Sequence, residues 1–277
     1  KSAIKCISWS HDGTTLATGS DDSSLAVHSL SEQTTFGPFR RFIKVRNSEP
    51  RASGLISCNV FFPLADINTV DWSADGKLLL TGSNDLTAKV IDAKTRQILY
   101  NFSGIHSGKP FNLRSDAELL NLEPIRHVAF SPNGRRFVSC SNDWCVNVTS
   151  LDTLKSEDLF TEFVIIIFDA PKLNASLFFI RLALFVAWAK DGNTIVSGSE
   201  GGTIKVYDLL RKQIKNEIAT RPDSVDVIYG YSYSVETGII AALSVDPSIK
   251  IYDCNTKNLL FELQGPDLGK KTRPTLI

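Results

Sequence analysis

The chain has no methionine among its 277 residues and no net charge, thirty Lys and Arg balancing thirty Asp and Glu. That balance excludes a global field drawing the protein to nucleic acid or an anionic membrane, so partners must be chosen by local surface. Cysteine is scarce: five residues and no Cys-x-x-Cys pair. An odd count without paired spacing argues against a disulfide framework and for a reducing compartment. Cys6, Cys58, Cys140 and Cys145 lie in strand-like runs, where Cys packs as a small hydrophobe. Cys140 and Cys145 with His127 match no zinc spacing, and no metal or other cofactor is expected.

Long apolar runs are missing too. The most apolar region, Leu159 to Ala187, is broken by Asp169, Pro171, Lys172 and Arg181 before it reaches the ~20 residues of a spanning helix. Two buried strands around a loop from Asp169 to Ala175 are expected there, and no membrane partner. The four histidines, at 11, 28, 106 and 127, sit in four different local settings. With no HExxH pair, GxSxG elbow or GxxxxGK[ST] loop, no enzyme is expected. Because the first residue is Lys1 and Met is absent, the native start is expected to lie elsewhere.

What is present is a repeat. Ile67 to Trp72, Lys77 to Gly82 and Thr87 to Ile91 each place an apolar residue at every second position, the period of a strand with one covered face. Asp75-Gly76 suits a tight hairpin between the first two, because Gly accepts a positive φ. Ser83-Asn84-Asp85 supplies short polar side chains that bond their own backbone at the second reversal. Gln97 to Phe102 follows as a fourth, outer strand. The predicted unit is one four-stranded antiparallel sheet.

The unit recurs. Trp9, Trp72, Phe130, Trp188 and Tyr233 end the first strand of five copies. Asp12-Gly13, Asp75-Gly76, Asn133-Gly134 and Asp191-Gly192 fill the first turn, with Glu236-Thr237-Gly238 a degraded fifth. The third strands start at Leu25, Thr87, Cys145, Thr203 and Ser248. In turn type, aromatic position and strand spacing together, the chain resembles the WD-repeat family, whose repeats build β-propellers. The resemblance implies an all-β fold of four-stranded antiparallel blades, seven of them, five being recognisable. It implies one domain over 1–277, with insertions near 31–66, 103–124 and 154–183.

The departures are as informative. The place of the Trp-Asp pair holds His28-Ser29, Ile91-Asp92, Val148-Thr149, Tyr207-Asp208 and Tyr252-Asp253. No Gly-His precedes a repeat, although Gly104-Ile105-His106 comes near. Thr18, Thr81, Ser139 and Ser197 with Asp22, Asp85 and Asp143 could therefore keep only half of the family's buried His-Trp-Ser/Thr-Asp set. Packing is expected to hold such blades more than that network does.

As the resemblance implies, the function expected is a non-enzymatic protein-interaction scaffold in a eukaryotic multiprotein complex, intracellular, in cytoplasm or nucleus. Trp144 follows the turn Asp143, where other copies carry Ser23, Leu86, Gly202 and Pro247, so folding does not demand a large side chain there. With Leu86, Asn142 and Arg126 it forms the candidate rim surface, since an aromatic with a polar handle is the residue type that anchors interfaces. The alternative is that Trp144 folds over an adjacent blade. A second function reading is nucleic-acid binding, to RNA or chromatin, through Arg40, Arg41, Lys44, Arg46 and Arg51. The bland version of that cluster is a charged strand edge that resists unwanted pairing. A helix over Asn112 to Leu122 and a strand over Leu55 to Leu64 complete the expectations.

Overall fold

The computed structural model describes residues 3–29, 41–44, 66–106, 124–143, 145–161, 166–170, 175–179, 183–220, 228–244 and 248–264. The strands fall where the repeat puts them. The first sheet is β1 (Ile4–Trp9), β2 (Thr15–Ser20), β3 (Ser24–Ser29) and β4 (Arg41–Lys44). The second is β5 (Ile67–Trp72), β6 (Leu78–Ser83), β7 (Thr87–Asp92) and β8 (Ile98–Ser103). The third is β9 (Ile125–Phe130), β10 (Arg136–Ser141), β11 (Cys145–Ser150) and β12 (Ser156–Thr161). A two-stranded hairpin, β13 (Ile166–Ala170) and β14 (Ala175–Phe179), precedes the fourth sheet. That sheet is β15 (Ala183–Trp188), β16 (Thr194–Ser199), β17 (Thr203–Asp208) and β18 (Gln213–Ala219), and the fifth is β19 (Ile228–Ser234), β20 (Ile239–Ser244), β21 (Ser248–Asp253) and β22 (Leu259–Gln264).

Each sheet is a meander in sequence order, so these are five blades of a β-propeller with the first strand of each innermost. Of the seven blades expected, five are met among the described residues. The hairpin β13–β14 bears out two strands in the apolar region. The candidate helix at 112–122 and the candidate strand at 55–64 lie outside the described residues.

The first turns explain the regularity. Asp75 accepts from Ser73 Oγ at 2.7 Å and from the Lys77 amide at 3.1 Å, while Gly76 takes a φ of 68°. Asp12 and Asn133 bond their own turns in the same way. Hydrogen bonds to the carboxylate, from the neighbouring Ser first, hold Asp12 and Asp75 below the usual range.

The core lies between blades. Ala17 and Leu25 of blade 1 pack on Ile67, Val70 and Trp72 of blade 2, and comparable clusters fill the next three junctions. Inner strands touch in sequence, β1 on β5, β5 on β9, β9 on β15 and β15 on β19. Two aromatics add a polar bond across the junction: Trp72 Nε1 donates to Ser8 O and Trp188 Nε1 to Ala129 O, both at 3.1 Å. Phe130 has no such donor. Its junction is bonded in reverse, the Phe130 amide donating to Asp71 Oδ2 at 2.7 Å.

Trp9 departs from expectation. As the aromatic that ends an inner strand it should pack between blades like its counterparts, yet it is 50% exposed while Trp72 and Trp188 are 8% and 2% exposed. The reason is positional: β1 is in contact with β5 on one side, and Trp9 points to the other end of the arc, where no described blade sits.

Candidate interaction surface

One end of each inner strand meets the second turn of its own blade, and there the first three blades carry matched polar pairs. Lys5 Nζ lies 3.3 Å from Asp21, Asn68 Nδ2 donates to Asn84 Oδ1 at 2.7 Å, and Arg126 Nε donates to Asn142 Oδ1 at 2.6 Å. The pairs are linked from blade to blade, since Lys5 also reaches Asp66 at 3.6 Å, Asn84 Nδ2 donates to Asp66 Oδ2, and Asn68 Nδ2 donates to Ile125 O. The rim is thus a row of paired polar groups, an ion pair in blade 1 and hydrogen bonds in blades 2 and 3. In blades 4 and 5 the inner-strand position holds Leu184 and Tyr229, and the Tyr ring is 43% exposed. The row passes from polar to apolar along the arc.

Arg126 and Asn142, grouped from the sequence, are therefore in direct contact. Leu86 sits at a left-handed φ of 72° and is 8% exposed, so it backs the rim from below. Ser23 and Gly202 take the same conformation at φ 64° and 74°, so this turn position is left-handed in blades 1, 2 and 4, a backbone that favours glycine. Trp144 lies outside the described residues, as do Arg40, Arg46 and Arg51. Arg41 and Lys44 begin and end β4, the outer strand of blade 1.

Beneath the rim each turn acid is structural. Asp22 accepts from the Ser24 amide, Asp85 from the Thr87 amide and Asp143 from the Cys145 amide, at 3.0–3.1 Å. Blade 3 keeps more of the buried set than expected. His106 Nδ1 is 3.0 Å from both Asp143 oxygens and His106 Nε2 is 2.8 Å from Ser139 Oγ. The sequence signal is Gly104-Ile105-His106, one residue longer than the family's Gly-His dipeptide. The register also shifts one assignment: Ser150 pairs with Arg136 as Asp92 pairs with Leu78. Thr149-Ser150, not Val148-Thr149, therefore occupies the Trp-Asp place, and Thr149 Oγ1 is buried with no hydrogen-bond partner among the described residues.

Blade 2 solves the same problem with a cation. Lys89, 1% exposed, places Nζ 2.7 Å from Asp85 Oδ2 and 2.7 Å from Thr87 Oγ1. A buried ammonium survives only with such partners. Two further groups feel the junctions. Burial pushes the Asp71 carboxyl up to about 6 against the opposing pull of the Phe130 and Trp72 amides. Burial holds His127 down at about 4, where its ring packs 4.8 Å from Phe185 and Nδ1 has no partner among the described residues. Burial also raises the Cys6 and Cys254 thiols to about 12, which removes them as nucleophiles.

Comparison with known proteins agrees with this geometry. The family model "WD domain, G-beta repeat" matches residues 1–29, 59–92, 121–150 and 184–208, each match covering inner strands and turns of one of the first four blades. The chain belongs to the WD-repeat family. It is 27% identical over 151 residues to the WD repeat protein iqw1 of Schizosaccharomyces pombe, covering 54% of this chain and 16% of that protein. It is 25% identical over 209 residues to a ribosome biogenesis protein WDR12 homolog of Drosophila persimilis, covering 69% and 42%. Against WD repeat-containing protein 37 of Xenopus tropicalis it is 28% identical over 190 residues, covering 66% and 30%. The chain spans less than half the length of these curated relatives. The matched stretches leave the fifth blade out, and there the degraded turn, Tyr233 and the third strand from Ser248 carry the assignment.

Proposed function

We propose that this chain is a non-enzymatic scaffold that binds other proteins through its rim, as one subunit of a eukaryotic multiprotein assembly inside the cell. The observation that carries the reading is the row of paired polar groups, Lys5, Asn68 and Arg126 with their turn partners. Groups held by neighbours lose little freedom when a partner docks, which favours binding over chemistry. The name of the WDR12 relatives, ribosome biogenesis proteins, supports an assembly role and a nuclear site of action. Trp144, beside the Arg126–Asn142 pair in sequence, is the proposed anchor. A seven-bladed ring would take two sheets beyond the five described.

The test is affinity purification of tagged wild type, Arg126→Ala and Trp144→Ala, with and without nuclease and at two salt concentrations. The reading expects one set of proteins to be retained after nuclease and lost from both variants. Trp144→Ala should weaken a partner by ~2 kcal/mol while changing stability by no more than ~0.5 kcal/mol. A steep loss of binding with salt that follows nuclease treatment would replace it by the nucleic-acid reading.

A further inference from the structure

The rim holds the second turn of each blade, so the face opposite it is built from the first and third turns. In blades 2 to 5 the third turns, at 92–97, 150–155, 208–213 and 253–258, are each tied to the first turn of the same blade by one backbone bond. The Ala93 amide donates to Lys77 O, Leu151 to Arg135 O, Leu209 to Asn193 O and Cys254 to Gly238 O, at 2.8–3.0 Å. Neighbouring blades are joined at this end too. Arg136 Nη2 of blade 3 donates to Gly192 O of blade 4, and Asn216 Nδ2 of blade 4 to Cys254 O of blade 5, both at 2.8 Å.

Charge is divided between the two faces. The second turns of the first four blades carry Asp21, Asp22, Asp85, Asp143 and Glu200 and no Lys or Arg. The third turns carry Lys94, Arg96, Lys155, Lys212 and Lys257. Most of their own acids are turned inward: Asp92, Asp208 and Asp253 each accept from two amides of the same turn. Apolar groups stand among the cations. Leu210 is 77% exposed and Leu154 53%, in adjacent blades, whereas Leu209 and Leu151 of the same turns pack into the junctions. The fifth residue of each third turn, Arg96, Leu154, Lys212 or Lys257, sits at a left-handed φ of 54–66°. That backbone favours glycine, so these larger side chains stand there against a conformational cost that the turn itself does not explain.

We propose that this face docks an acidic segment of another protein, one whose apolar side chains cover Leu154 and Leu210 while its carboxylates meet Lys94, Arg96, Lys212 and Lys257. Complementary charge registers the segment, and the two leucines supply surface to bury. Other anionic surfaces fit less well. None of the four turns holds an aromatic ring on which a nucleic-acid base would stack, and leucines gain nothing from phosphates. A flat anionic bilayer would meet the exposed Asp152 and Glu236 together with the cations, whereas a segment passes between them. The site goes beyond the rim reading and does not depend on it.

The test titrates a fluorescent peptide of repeated Glu-Leu-Glu-Phe against the full chain by anisotropy. Unlabelled peptide, poly-glutamate, polyuridylate RNA and phosphatidylserine vesicles serve as competitors. The double variant Leu154→Gly with Lys212→Gly removes an apolar and a charged group where the backbone favours glycine, so its melting temperature should hold or rise. Leu210→Ser is the second variant. Saturable binding, weakened roughly ten-fold in each variant and unchanged in Arg126→Ala, supports the proposal, as does poly-glutamate competing more weakly than the unlabelled peptide. Binding lost in Arg126→Ala but kept in the turn variants puts the peptide on the rim and overturns it. So does an absence of saturable binding, equal binding by wild type and both turn variants, or stronger displacement by RNA or vesicles than by the unlabelled peptide.

Discussion

Asp85 and Lys89 show how much one pair can settle in a divergent blade. The ammonium is enclosed, so its partner cannot be removed cheaply. Asp85→Ala should cost about 3–5 kcal/mol in chemical denaturation, because it leaves a buried charge alone. Asp85→Ala with Lys89→Leu should recover most of that, and recovery of nothing would place the loss in the turn amide of Thr87 instead. Asp71 and His127 lend themselves to titration. Asp71 binds its proton more tightly when folded, so its contribution to stability falls as pH rises through roughly 4 to 6. His127 binds its proton less tightly when folded, so stability present above about 6.5 is lost as pH falls towards about 4. The two slopes oppose each other, each at most about 3 kcal/mol. Wild-type stability between pH 4 and 6.5 should therefore change less than that of either variant, Asp71→Asn losing stability on acidification relative to wild type and His127→Phe gaining it. None of these pairings was legible in the sequence. Lys89 lies among alternating strand residues like any exposed Lys, and only the register brings it back over the turn.

At the scale of the element, the blades were legible because their turns are chemically explicit. Asp-Gly and Ser-Asn-Asp name the reversals, and period-two alternation names the strands between them. The junction chemistry was not. That Asp71 bonds the Phe130 amide depends on which residue faces which across two blades, and local spacing contains no such information. The indole bonds and close approaches make predictions here. Trp72→Phe keeps the ring but loses the bond to Ser8 O, so it should cost about 1 kcal/mol, whereas Trp72→Ala should cost about 3–5 kcal/mol. Trp9→Ala, at the uncovered end, should cost far less than Trp72→Ala in the same denaturation series. Gly82→Ala drives a methyl into Ile125 and Thr69, both side chains of packed strands, and should cost about 1–3 kcal/mol.

In the whole molecule every described blade is bonded and packed only to the blades before and after it. Such an array behaves as a one-dimensional chain of coupled units, whose members open according to how many neighbours each has. Among the described blades, blade 3 has one neighbour on each side and stands two blades from either end of the arc, and blades 1 and 5 have one neighbour apiece. Native-state hydrogen exchange should therefore show a gradient, with amides of β9 and β10 slowest and those of β1 and β20 roughly a hundred-fold faster. Uniform rates across the five blades would mean a single cooperative unit. A graded array also has a kinetic side: among the described blades opening starts at an end of the arc, and the inner strand of blade 1, with Ile4, Ile7 and Trp9 exposed, is a stretch a protease or a chaperone would find early.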